Sequence, residues 1–205
     1  MTQLFQRDVL ETAGDHLVQF YDADPAALVA NVAAFIDEGL NAGDSIVVIA
    51  SPEHRDAFLA ALGSSRDQRD VRARRLVVLD AAATLAQFMV DGRPNWRRFD
   101  TVVGAVIRGL RRAKPGARLR AYGEMVGLLW AAGQTDAAVE LEKFWNVLLG
   151  GEEFTLYCAY PVDGLADDFR VGRGRDVLCA HTHVVKGAGV SMAVTSTEKY
   201  YPASA

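Results

Sequence analysis

A chain of 205 residues, half of them apolar and 23% charged, has ordinary globular composition and the length for one α/β domain of about 160 to 180 residues with ragged ends. Its net charge of −4 argues against a general nucleic-acid binder, whose affinity depends on lysine and arginine meeting phosphates. No apolar run approaches the ~20 residues that span a bilayer, and the N-terminus mixes both charges instead of leading a basic end into an apolar stretch, so no membrane anchor or signal peptide is expected and the predicted location is cytoplasmic.

Residues 1–13 read as a leader without a pattern. His16-Leu-Val-Gln-Phe-Tyr21 is a short strand, and Asp22-Ala-Asp-Pro25 supplies a helix start, after which Leu28, Val32, Phe35, Ile36 and Leu40 recur at helical spacing until Gly43. Ser45-Ile-Val-Val-Ile-Ala50 is a continuous β-branched run that suits a strand buried on both faces of a parallel sheet. Ser51-Pro52 opens a second helix with Phe58, Leu59 and Leu62 inward, closed by Gly63. An arginine-rich connection holding Arg66, Arg69, Arg72 and Arg74 reads as solvated and leads to a third strand, Arg75 to Asp80.

Ala81 to Val90 is predicted as a short helix broken by Asp91-Gly92-Arg93-Pro94. Asn95 caps the next helix, whose stripe runs through Trp96, Phe99, Val102, Val103, Val106, Ile107 and Leu110 and stops at Pro115-Gly116. The basic cluster ending that helix, Arg108, Arg111, Arg112 and Lys114, complements the helix dipole and also reads as solvated. A strand over 117–122, two helices with Leu141, Phe144 and Trp145 on a shared face, and a strand from Phe154 to Tyr160 closed by Pro161 complete the core. Beyond it, 163–175 reads as a loop, Arg175 to Val185 as a last helix containing Cys179, His181 and His183, and 187–205 as a flexible tail in which Val190 to Val194 offers an edge strand.

This order predicts a three-layer α/β domain, a mostly parallel sheet with helices on both faces. Ligands of such sheets bind beyond the carboxyl ends of the strands. There the sequence delivers Tyr21, Ser51, Asp80, Tyr122 and Glu124, with Trp130 following. Asp22, Ser51 and Asp80 are also explained as helix-start residues. Glu124 is less easily explained that way, because Gly123 permits close approach and the acid enters an apolar segment where a carboxylate needs a partner; the structural alternative is a salt bridge with Arg118 or Arg120. A carboxylate among aromatics suits holding a small polar or basic group more than breaking a bond.

No phosphate cradle follows the first strand, since Asp22-Ala-Asp-Pro-Ala-Ala-Leu stands where glycines and a lysine would be required, and no Gly-x-Ser-x-Gly elbow is present. Cys158 and Cys179 lack Cys-x-x-Cys spacing and read as buried free thiols. His181-x-His183 is a weak metal signal, because residues two apart on a helix face different ways, although His16 or Cys158 could join such a pair. No catalytic residue, cofactor or metal is therefore expected, and the chain is read as a non-enzyme.

The stretches His16–Tyr21, Phe35-Ile-Asp-Glu-Gly-Leu-Asn-Ala-Gly-Asp-Ser-Ile-Val-Val-Ile-Ala50, Tyr122-Gly-Glu-Met-Val-Gly-Leu-Leu-Trp130, Leu141-Glu-Lys-Phe-Trp-Asn146 and Leu156-Tyr-Cys-Ala-Tyr-Pro161 together resemble the MEDS family, the sensory domain named from methanogen and methylotroph regulators. The resemblance covers about 14–162, with the loop and helix of 163–186 packed on it and Cys179-Ala-His-Thr-His183 as a continuation. It implies a degenerate RecA/KaiC-like fold that has lost its phosphate loop, and a sensor of small hydrocarbon-like or related organic ligands. Related chains join this domain to a histidine kinase, a response regulator or a DNA-binding module; with none of these in the sequence, the expected output is to such a partner in trans, without direct nucleic-acid or membrane contact, and a homo-oligomer is left open. Two rival readings are a nucleotide-dependent RecA-like enzyme or switch, and a metal-binding domain through His181 and His183.

Overall fold

The computed structural model describes residues 14–22, 24–63, 75–161 and 173–185, with the backbone of 191–193. The expected leader, the arginine-rich connection, the loop after Pro161 and most of the expected tail lie outside the described residues.

The continuous apolar run that the sequence offers at Ser45–Ala50 becomes β2, buried at every position. It lies between β3, Leu76–Asp80, and β6, Leu119–Gly123, and the seven-stranded sheet runs β3-β2-β6-β7-β1-β8-β9. Here β1 is His16–Tyr21, β7 Thr155–Pro161, β8 His183–Val185 and β9 Ser191–Ala193. All pairings are parallel except that of β9, which runs antiparallel along β8. The edge strand expected at Val190 to Val194 is this β9.

Period-two alternation sends the strand residues to two cores. Leu17, Ile46, Val48, Tyr122 and Tyr157 meet Leu28, Val32, Phe35 and Ile36 of helix α1, Ala26–Ala42, and Phe58 of α2, Pro52–Leu62. Val18, Val47, Ile49, Ala121 and Cys158 face the opposite layer. That layer contains α3 (Ala81–Ala86), α4 (Trp96–Phe99), α5 (Ala105–Ala113), α6 (Met125–Ala131) and α7 (Thr135–Gly151). The result is the predicted three-layer arrangement.

Helix starts follow side-chain chemistry. Ser51 Oγ accepts from the backbone N–H of His54 at 3.4 Å, Asp80 Oδ1 from Ala83 at 2.7 Å, and Asn95 Oδ1 from Arg98 at 3.2 Å. Gly43, at φ 84°, ends α1 in the left-handed conformation that glycine adopts without steric cost. Three of the four cations at the end of α5 bond to protein groups: Arg108 pairs with Asp100 at 2.8 Å, Arg111 with Glu152 at 3.5 Å, and Lys114 donates to the Gly43 carbonyl at 2.6 Å, while Arg112 is exposed.

Three expectations need correction. The helix predicted over Ala81 to Val90 ends at Ala86, and Met89–Val90 (β4) pairs antiparallel with Arg93–Pro94 (β5) across Asp91 and Gly92. Both turn residues have positive φ, 50° and 76°, as a two-residue hairpin of type I′ requires. The single helix expected after Asn95 is interrupted between α4 and α5 by a π-helical segment, Asp100–Gly104. The last helix, α8, spans Arg173–Ala180; it contains Cys179, but His181 and His183 lie beyond it, the latter opening β8.

At Gly127, in the Tyr-Gly-Glu-Met-Val-Gly stretch, α6 presses directly on β7. A Cβ there would stand 2.5 Å from the Ala159 carbonyl oxygen and 3.2 Å from Pro161 Cδ. A backbone oxygen cannot swing aside as a side chain can, so Gly127→Ala is expected to destabilise the fold by about 1–3 kcal/mol through overpacking, read as a lower urea midpoint at unchanged slope.

Candidate functional site

Parallel pairing brings the carboxyl ends of β1, β2 and β6 to one edge. Gly123 pairs with Ile49, and the next backbone N–H, that of Glu124, donates to the Ile49 carbonyl at 3.1 Å. Glu124 is thereby set beside the start of α2, and its carboxylate, 3% exposed, is saturated from three sides. The Ser51 backbone N–H donates to Oε1, while Oε2 lies 2.8 Å from His54 Nδ1 and accepts from the Tyr122 hydroxyl at 3.0 Å. Phe58 stacks on the His54 ring at 5.8 Å and meets Tyr122 edge-on at 5.1 Å, and Tyr21 stands edge-on to His54 at 5.5 Å.

These contacts set the charges. Burial pushes the Glu124 carboxyl upward, but hydrogen bonds from His54 and Ser51 outweigh it and hold the group below its ordinary value. The same bond raises the His54 imidazole against the opposing effect of burial. Burial, with the nearby Glu124 and Glu53 charges, pushes the Tyr21 hydroxyl up to about 12, so it remains a neutral donor. Since Nδ1 of His54 serves Glu124, Nε2 is the nitrogen left for another molecule, and it has no hydrogen-bond partner among the described residues.

Of the six residues expected at the ligand edge, Tyr21, Ser51, Tyr122 and Glu124 therefore converge. Asp80 ends the adjacent strand, opposite Ala50 in register, and is engaged as the cap of α3. Trp130 packs edge-on against Tyr160 at 5.6 Å, with the core on the other face of the sheet from Tyr122. The salt bridge weighed for Glu124 with Arg118 or Arg120 does not form: Arg120 pairs with Asp44 at 2.8 Å, and Glu124 takes His54 instead. His54 was legible as the residue three beyond the Ser51 cap, which places it in the first turn of α2 over the strand end.

The β1–α1 connection is unlike a phosphate cradle. The Asp24 backbone N–H donates to Asp22 Oδ1 and that of Ala26 to Asp24 Oδ1, each at 3.0 Å, so groups that would face an anion are occupied by carboxylates.

A second polar cluster lies inside the helical layer at the other end of β1. Glu142 points inward from α7, and its carboxylate meets His16 Nε2 at 3.3 Å and His181 Nε2 at 3.4 Å. Cys158 Sγ of β7 stands 3.3 Å from His16 Nε2 and 3.8 Å from Glu142, and the Tyr160 hydroxyl donates to Glu142 at 2.5 Å. All four of His16, Glu142, Cys158 and His181 are buried. Each imidazole turns its other nitrogen to acceptors: His16 Nδ1 lies 3.0 Å from both Asn146 Oδ1 and the Ala180 carbonyl, and His181 Nδ1 lies 2.6 Å from the Val177 carbonyl. His181 Nε2 makes no hydrogen bond.

Burial raises the Glu142 carboxyl, but His181, His16 and Tyr160 bring it below the ordinary range. Burial and then His16 lower the His181 imidazole to about 4, and burial with the Glu142 charge pushes the Cys158 thiol well up. The His181/His183 pair of the rival metal-binding reading does not come together. His183 lies in β8, its Nδ1 2.9 Å from Thr182 Oγ1 and 3.9 Å from Asp15, while His181 joins His16, Glu142 and Cys158.

Among solved structures the chain is similar to a KaiC-like protein, PH0186, from Pyrococcus horikoshii OT3, at 10% identity and a TM-score of 0.55, over 84% of this chain and 70% of that one. It is similar also to the uncharacterized protein PH0321 from Pyrococcus horikoshii, solved in complex with an unknown peptide, at 12% identity and a TM-score of 0.58, over 85% and 77%. A DnaB-like replicative helicase matches at 7% identity and a TM-score of 0.51, over 84% of this chain but only 46% of the helicase. At such identities the likeness establishes the fold, which is of the KaiC/RecA kind. No curated protein matches the chain. The profile described as MEDS, the MEthanogen/methylotroph, DcmR Sensory domain, matches residues 15–182, a span holding both polar clusters and nearly every described element, and the chain belongs to that family.

Proposed function

We propose that the chain is a non-enzymatic, cytoplasmic sensory domain that binds a small organic molecule at the carboxyl ends of β1, β2 and β6 and reports its occupancy to a signalling protein in trans, such as a histidine kinase or response regulator. The observation that carries this reading is the Tyr21–His54–Glu124–Tyr122 cluster. A buried carboxylate costs several kcal/mol unless paired, and here bonds from the Ser51 N–H and the Tyr122 hydroxyl fix it while a third orients the His54 imidazole. Glu124 and Tyr122 form the inner layer that fixes His54, and His54 Nε2, Tyr21 and Ser51 form the outer layer that meets the ligand. A neutral donor, the Tyr21 hydroxyl, and a cationic one, Nε2–H of protonated His54, beside Phe58 suit a short organic molecule carrying an acceptor oxygen.

To act as a switch, the domain must bind its ligand differently in two conformations. The ends of α1 and α2 over the strand edge are the elements a ligand there would bias. RecA-like nucleotide turnover finds no support in a connection whose backbone donors are filled by Asp22 and Asp24.

Native mass spectrometry of the protein as purified, followed by thermal shifts with short-chain alcohols, aldehydes and carboxylates, tests the proposal. At least one of these is expected to raise the melting temperature of the wild type. Tyr21→Phe and His54→Ala should abolish that rise, and Glu124→Gln or Tyr122→Phe should reduce it. An unchanged rise in Glu124→Gln and Tyr122→Phe would remove the site. Stabilisation by ATP with magnesium, expected to be nil, would instead support the nucleotide reading.

A further inference from the structure

We propose that His16 Nε2, His181 Nε2, Cys158 Sγ and a Glu142 carboxylate oxygen bind one divalent transition-metal ion of the zinc class. The four side chains come from β1, the joint between α8 and β8, β7 and α7, and their ligand atoms lie within 4.8 Å of one another. Imidazole, thiolate and carboxylate are the donor types zinc takes. Nitrogen and oxygen donors placed tetrahedrally at about 2.1 Å from an ion are separated by about 3.4 Å, and a sulfur at about 2.3 Å lies about 3.6 Å from its neighbours. The separations found are 3.3 Å from Glu142 Oε2 to His16 Nε2, 3.4 Å from Glu142 Oε1 to His181 Nε2, and 3.3 and 3.8 Å from the sulfur to His16 Nε2 and Glu142 Oε2. These separations are close to the tetrahedral values, and a small inward shift of side chains that all lie within 4.8 Å of one another would close them on one ion.

Protons point the same way. His181 Nδ1 faces only a backbone carbonyl, and His16 Nδ1 faces a carbonyl and an amide oxygen whose own nitrogen donates elsewhere, to Ala180. Each Nδ1 is therefore a protonated nitrogen, and in the neutral form of each ring Nε2 presents a lone pair toward the cluster, as in metal sites whose outer hydrogen bonds fix the tautomer. With both rings neutral, the lone pairs of two imidazoles, a carboxylate and a sulfur meeting in a dry interior repel one another unless protons or a metal cation stand among them. His181 Nε2 is buried without a hydrogen bond, which a metal bond would satisfy.

Binding transfers the Cys158 thiol proton to solvent, and the dication then balances one thiolate and one carboxylate, leaving a neutral centre fit for burial. With four protein ligands the site has no position for substrate and is of the structural kind. Its effect is to clamp the segment after Arg173 onto β1 and β7. This reading is independent of the ligand edge, since it uses none of the same side chains.

Protein stripped by chelator and titrated with Co²⁺ tests it. The expected result is one ion per chain, with the ligand-field bands of tetrahedral cobalt and a thiolate-to-cobalt charge-transfer band, displaced by Zn²⁺ that binds in the nanomolar range or tighter. Cys158→Ser should lose the charge-transfer band and bind at least about tenfold more weakly, as should His181→Gln. His183→Ala and Cys179→Ser should bind as wild type. Folded wild type that takes up neither ion at micromolar concentration, or Cys158→Ser that keeps the wild-type spectrum, would overturn the proposal and leave a protein-only charge network. Should the ligand variants not fold, X-ray absorption of the zinc-loaded wild type decides: a sulfur neighbour at about 2.3 Å is expected, and a shell of only nitrogen and oxygen would overturn it.

Discussion

Trp145→Ala is expected to destabilise the protein by about 3–5 kcal/mol, the range for deleting a large aromatic from a core that cannot close over the space. In a domain of this size that lowers the melting temperature by about 6 °C or more. Trp145 is fully buried on α7, edge-on to Phe99 at 5.1 Å and to Phe154 at 6.4 Å. Its ring also covers the end of β6, where a Cβ on Gly123 would stand 3.3 Å from it. One side chain thus joins α4, α7 and the strand that presents Glu124. Three rigid elements around it leave little freedom to collapse, so the loss belongs in the upper part of that range. Trp145→Phe should cost distinctly less, because it keeps most of the ring and removes an indole N–H that is buried without a partner. Urea unfolding of the three proteins, with equal slopes, checks the order; a Trp145→Ala cost below about 1 kcal/mol would show that the helix does not depend on this packing.

Much of this framework was legible because the pattern and the packing agree. The run Ser45–Ala50 is buried on both faces, the α1 stripe through Leu28, Phe35 and Ile36 faces the sheet, and the caps at Ser51, Asp80 and Asn95 sit where their oxygens place them. The misreadings fall where elements are too short to show a period. Strands β4 and β5 have two residues each, so Asp91-Gly92 was the only hairpin signal available and an alanine-rich stretch outweighed it. Three residues of β8 likewise carry no alternation of their own and are recruited by pairing with β1.

The two polar clusters differ in the same way. Four members of the ligand edge, Tyr21, Ser51, Tyr122 and Glu124, follow from strand ends, and His54 from its distance to a cap. The cluster of His16, Glu142, Cys158 and His181 gathers residues from four elements with no regular spacing, which only the topology brings together. One signal was present: Glu142 lies four residues after Ala138 and three before Trp145, within the inward stripe of α7. An acid on a core-facing stripe demands partners.

Glu124→Ala carries the other large expected effect, about 3–5 kcal/mol at mildly acidic pH, because it leaves a largely buried imidazole, the Tyr122 hydroxyl and the Ser51 N–H without their common acceptor. The pH dependence distinguishes this from a simple loss of packing. Glu124 is held below its ordinary 4.5, so its contribution is present above that value and is lost as pH falls through the lowered folded value. His54 is raised above its ordinary 6.5, so its contribution is complete below 6.5 and declines as pH rises through the raised folded value. The gap in stability between wild type and Glu124→Ala should therefore be widest between pH 4.5 and 6.5 and narrow on either side. Glu124→Gln, which retains an acceptor for Ser51 but no charge, should lose less and show a flatter profile. Chemical denaturation across that range reads the gap directly, and a constant difference at every pH would mean that Glu124 and His54 do not act as an ion pair. If the pair does act so, the edge that meets the ligand is oriented by a bond whose strength peaks in mild acid, and ligand affinity through His54 should follow the same curve.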